Sequence, residues 1–84
     1  MPKAAEQGYS KAQFELGNMY ETGEGVAQDY IKAFMWFDLA ASSAEDQNSF
    51  YEAVFSRNRI AKEMTPEQIA EAEKLARAWE SARK

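Results

Sequence analysis

Asp29-Tyr30-Ile31-Lys32-Ala33-Phe34-Met35-Trp36-Phe37-Asp38-Leu39-Ala40-Ala41 is a run in which, after Asp29, only Lys32 and Asp38 interrupt an apolar surface. It reads as a helix with Asp29 near its N-cap, where a carboxylate can accept an otherwise unpartnered backbone N–H. A helix that is apolar nearly all round must be buried on more than one side. This segment therefore demands neighbours before it, after it or on another chain, and the reading of the whole sequence turns on finding them.

Upstream, a helix is expected over about Ser10–Glu21, with Ser10 as N-cap. Ala12, Leu16, Met19 and Tyr20 share one face of its wheel, with Gly17 at the edge, and Lys11, Phe14, Asn18 and Glu21 point the other way. Glycine inside a helix costs about 1 kcal/mol relative to alanine, so a neighbouring helix is expected to press on the bare backbone at Gly17. Thr22-Gly23-Glu24-Gly25-Val26 is a loop whose two glycines call for positive φ. It is no phosphate loop, because neither a preceding strand nor a Lys-Ser/Thr ending is present. Before Ser10, Lys3 to Gln7 forms a short helical scrap ended by Gly8.

Downstream, Ser42 to Asn48 is polar and reads as a loop, followed by a helix over about Ser49–Glu63. Its core stripe is Phe50, Ala53, Val54, Ile60, Ala61 and Met64, and Tyr51 with Phe55 forms a second stripe one turn apart. Thr65-Pro66-Glu67-Gln68 is the strongest local signal: Thr at N-cap and Gln at the third helical position make a capping box. Pro sits at the first helical position, where its missing N–H costs nothing. Met64 and Ile69 can staple that entry. The last helix carries Ile69, Ala72, Leu75, Ala76 and Trp79 on one face, with Glu73–Arg77 and Glu80–Lys84 as favourable i,i+4 pairs. No strand pattern occurs. The fold class is all-α, an α-solenoid of two antiparallel helical hairpins of the α-α superhelix type.

The composition narrows function. Eighty-four residues make one domain, and 45% hydrophobic content is enough for a core. The net charge of -4 speaks against nucleic acid and anionic lipid, which need a basic footprint. Residues 1–42 carry three Lys against six Asp/Glu, so the first half is the more acidic and a basic partner surface is the mild expectation. Without cysteine or histidine there is no disulfide, no thiolate metal site and no imidazole base or ligand. Asp46, Asn48 and Glu52 lack the glycine and register of a calcium loop. The other acids are scattered over solvated helix faces and ends. No cofactor, no metal and no enzymatic activity are expected. No apolar stretch reaches a membrane span, and the N-terminus lacks a signal-peptide core, so a cytoplasmic location is expected.

Ala4-Ala5 and Ala40-Ala41 recur 36 residues apart, a period of helix–turn–helix repeats. Between them, Ala12-Gln13, Leu16-Gly17, Tyr20, Gly23-x-Gly25-Val26, Asp29, Lys32-Ala33, Trp36 and Ala40-Ala41 resemble a complete Sel-one-like repeat, a family related to the tetratricopeptide repeats. Arg57 to Ala70, continued by Ala76-Arg77-x-Trp79, is similar to the terminal hairpin of bacterial members, with the Thr-Pro turn replacing the Gly-x-Gly-Val loop. The expected organisation is a remnant of a preceding repeat over 1–8, a full repeat over 9–42 and a degenerate C-terminal capping hairpin over 43–84.

The resemblance implies a scaffold or adaptor that binds another protein through the surface lined by the first helix of each hairpin. It brings no catalytic residues, because the family's signature positions are packing and turn residues. The candidate partner-binding residues are Lys11, Phe14, Asn18 and Glu21 from the first helix, with Tyr51 and Phe55 from the third. Phe14, Tyr51 and Phe55 are weighed against packing between helices, the more expected role for all three. Three or more stacked repeats are the usual requirement for burying each face. Either the chain is a fragment of a longer repeat protein or another chain covers the exposed face; the second expectation is that it self-associates or docks on a partner through Ser10–Glu21 and the apolar surplus of the next helix. A runner-up function is a small acidic inhibitor or immunity-type protein that blocks a basic partner.

Overall fold

A computed structural model describes residues 9–83, the side chains through Ala82. The expected helical scrap, the Ala4-Ala5 pair and the Glu80–Lys84 pair rest on residues outside that range. Four helices follow one another: α1 (Ser10–Thr22), α2 (Tyr30–Ser43), α3 (Gln47–Ala61) and α4 (Pro66–Arg83).

α2 contains the apolar run Tyr30–Ala41, and it lies at the centre with α1, α3 and α4 all packed on it. Ala33, Phe34, Trp36, Phe37, Leu39, Ala40 and Ala41 are all buried. Its apolar surplus is thus taken up within the chain. The directions follow from the contacts. Ser10 donates to the Ala40 carbonyl at one end, and the Asp29 N–H donates to the Tyr20 carbonyl at the other, so α1 runs antiparallel to α2. Ala53 meets Ala40 and Ala41 while Ile60 meets Ala33 and Phe34, so α3 is antiparallel to α2 as well. Ala72 packs by Phe34 and Ala76 by Trp36 and Leu39, so α4 runs with α2 and against α3. Small residues at these crossings let the helices approach closely. Trp79 meets Trp36 edge-on with ring centroids 5.5 Å apart.

The turns are as their residues demand. Gly23 and Gly25 adopt φ of 82° and 78°, the left-handed region that side chains avoid. The Gly23 N–H donates to the Met19 carbonyl and ends α1. Asp29 caps α2 by accepting from the Lys32 N–H. The capping box also forms: the Thr65 N–H donates to Gln68 Oε1 at 2.9 Å, and the Gln68 N–H to Thr65 Oγ1 at 3.1 Å.

Several local expectations are corrected. Ser10 is not a cap; it is the first residue of α1, after Tyr9, and its hydroxyl crosses to Ala40. α3 begins at Gln47, ahead of the expected Ser49, because Asp46 caps it by accepting from the Ser49 N–H at 2.7 Å. Phe50 is not core but 44% exposed, its ring edge-on to Tyr51. Gln13, for which the sequence carried no expectation, is buried, its amide oxygen accepting from Ser43 at 2.6 Å. Arg77 does not pair with Glu73; it reaches Asp38 and Glu80.

Candidate partner-binding groove

Residues one turn apart on α1 project as a row, and here that row is left uncovered. Lys11, Phe14, Glu15 and Asn18 line one wall of a groove, and Ser49 and Glu52 of α3 line the other. Its volume is about 360 Å³. A second recess of about 200 Å³ shares Ser10, Lys11 and Ser49 with it and adds Tyr9, Glu45 and Asp46. The gap exists because α1 and α3 each press on α2 and touch one another only sparingly.

Phe14 is the apolar element. It is half-buried, with its ring tilted against Phe37 at a centroid separation of 5.4 Å, and it lines the groove as well. Packing and surface roles coincide in this residue. Phe37 in turn is held by Gly17, where an added methyl would lie 2.7 Å from two ring carbons. The expected close approach at Gly17 is therefore present, and it sets the position of Phe14.

Of the six candidate residues, the structure brings Lys11, Phe14 and Asn18 into the groove. Glu21 takes a different role: it pairs with Arg59 of α3, whose Nη2 lies 3.0 Å from Oε1 while Nη1 bonds Oε2. The hydrogen bond with Glu21 holds the Arg59 guanidinium above its ordinary value. This pair joins α1 to α3 at the end remote from Lys11. Tyr51 and Phe55 do not pack between helices; they stand 61% and 71% exposed on the outer side of α3. They lie on the solvent side of the turn that carries Glu52 rather than in the groove itself.

Glu15, Ser49 and Glu52 were not anticipated. Glu15 is one turn on from Lys11, so the row carried a signal for it. Ser49 and Glu52 become legible only when α3 is laid beside α1. Asp38 was read with the solvated acids and is instead buried at 9% exposure. Arg57 of α3 meets its Oδ1 at 2.9 Å and Arg77 of α4 its Oδ2 at 2.6 Å. Burial pulls the Arg77 guanidinium down, but bonds to Asp38 and Glu80 outweigh it and leave it raised. This triad ties three helices together and serves packing. Among the described residues no group of three or more His, Cys, Asp or Glu is placed to hold a metal ion, and no helix is long and apolar enough to cross a membrane.

Residues 10–44 match the family model of the Sel1 repeat. That span begins with α1 and ends just past α2, so the hairpin that forms one side of the groove is the part of the chain similar to a Sel1 repeat, in line with the resemblance of the sequence. Neither a curated protein nor a solved structure matches the chain. Sel1 repeats form helical-hairpin solenoids that mediate protein–protein interaction and are generally non-enzymatic.

Proposed function

We propose that this Sel1-repeat chain is an adaptor or scaffold that engages another protein through the groove between α1 and α3, and that α3 and α4 cap the repeat. The observation that carries the reading is the groove itself. Two adjacent helices leave an apolar ring, Phe14, flanked by Lys11, Asn18, Ser49 and Glu52. An apolar centre with a polar rim is the anatomy of a protein interface. Rings of this kind supply a large share of binding energy where they are buried by a partner.

The test is capture of partners on immobilised chain, comparing wild type with Asn18→Trp, which fills the groove, and Ala70→Trp on the exposed side of α4 as control. A protein retained by wild type and by A70W but lost with N18W supports the groove, provided that lysine-directed cross-linking joins it to Lys11. Equal retention by all three chains removes the groove from consideration.

A second reading, a small acidic inhibitor of a basic protein, draws on the acidic excess of the first half and on the groove acids. It predicts that adding the chain abolishes its target's activity in equal proportion, whereas an adaptor leaves that activity in place.

A further inference from the structure

The groove has a charge pattern that names the chemistry of its occupant. Resting on the reading of the groove as a partner site, we propose that it takes a basic segment of the partner protein, with an Arg or Lys side chain between Glu15 and Glu52 and an apolar neighbour against Phe14.

Glu15 and Glu52 lie on opposite walls, and Glu45 and Asp46 line the adjoining recess. Among the described residues Lys11 is the sole cation lining either space. These acids contrast with those used in packing. Glu21, Asp38 and Glu80 each have an arginine partner. Among the described residues Glu15, Glu45 and Glu52 have none. Asp46 caps α3 and also lines the adjoining recess.

Clustered like charges on low-dielectric walls repel one another until a cation arrives, and they attract cations from a distance. Arginine suits the site better than lysine, since a guanidinium can bond both carboxylates and also lie on an aromatic face. Tyr51 and Phe55, exposed on α3 outside the groove, offer such faces to a segment that extends past Glu52. The same pattern disfavours other occupants. A second copy would bring the same four acids toward these, and a partner's acidic segment would meet them directly.

The probe is a fluorescein-labelled peptide of alternating Arg and Leu, with an alternating Glu and Leu peptide of equal length as its inverse. Fluorescence anisotropy on the full chain reads binding at low and at moderate salt. The proposal expects the Arg-Leu peptide to bind, and its affinity to fall at least tenfold in the double variant Glu15→Gln/Glu52→Gln. The double variant Glu71→Gln/Glu73→Gln removes equal charge from exposed positions on α4 and should change it less than twofold. Thermal melts confirm that all chains are folded, which exposed positions permit.

Failure of the Arg-Leu peptide to bind overturns the proposal. So does an equal loss in both double variants, which would reduce the effect to net charge. Binding of the Glu-Leu peptide that N18W abolishes would overturn the basic occupant and leave the groove as a partner site. A dimer seen by light scattering and lost in N18W, with no peptide bound, would put a second copy there and likewise overturn the proposal.

Discussion

At Gly17 one methyl group separates two packings of α1 on α2. Alanine would favour the helix by about 1 kcal/mol, yet its methyl would sit 2.7 Å from Phe37, a fully buried ring with no room to retreat. Overpacking of this kind costs about 1–3 kcal/mol. Gly17→Ala is therefore expected to destabilise by about 1 kcal/mol net, read as a lower urea midpoint; a higher midpoint would mean the contact is slack. Because Phe37 also supports Phe14, the same variant should weaken partner binding. Asp38 is the second decisive residue. Hydrogen bonds to charged groups contribute about 1.5–3 kcal/mol in favourable settings, but both arginines can turn toward water, at 27% and 56% side-chain exposure. Asp38→Ala is expected to cost about 2 kcal/mol by urea titration. Asp38→Asn should cost less, since an amide oxygen can keep one of the two arginines. Equal losses for the two would assign the effect to the carboxylate charge alone.

At the scale of the element, two features behave oppositely. The capping box at Thr65 and Gln68 satisfies two backbone donors at the start of α4. Thr65→Ala should cost about 1 kcal/mol and Thr65→Ser should recover most of it, in the same denaturation series. On α3, Phe50, Tyr51 and Phe55 are the exposed aromatics of a helix whose buried face is Ala53, Ser56 and Ile60. The helix docks through small residues, and its large rings are left outside. Tyr51→Ser with Phe55→Ser is thus expected to change stability by no more than about 0.5 kcal/mol while lowering affinity for the basic peptide severalfold. A large loss of stability would show that these rings pack after all.

For the whole molecule, α2 organises everything else. The radius of gyration of 11.5 Å is close to the roughly 12 Å expected of a globular domain of this length, so four helices close around one core. That closure depends on α4: Ala72, Ala76 and Trp79 cover Phe34, Trp36 and Leu39. A chain ending at Met64 is expected to lose its cooperative thermal transition by circular dichroism, because native stability is only about 5–15 kcal/mol for any domain. Survival of that transition would make α4 dispensable. Much of this was legible along the chain. The nearly all-apolar run of Tyr30–Ala41 demanded neighbours on several sides, Gly17 demanded a close helix, Gly23 and Gly25 a left-handed turn, and Thr65-Pro66-x-Gln68 a helix start. Each is a local requirement of backbone geometry or hydrophobic periodicity, so local sequence by itself determined it. The burial of Asp38 and Gln13, the exposure of Phe50, and the placing of Glu15 and Glu52 on opposite walls of a groove were decided only by the tertiary structure. Residues separated in sequence share a site only once α1 and α3 are both set against α2, and the choice between a packed and an open face depends on where the neighbouring helix lies.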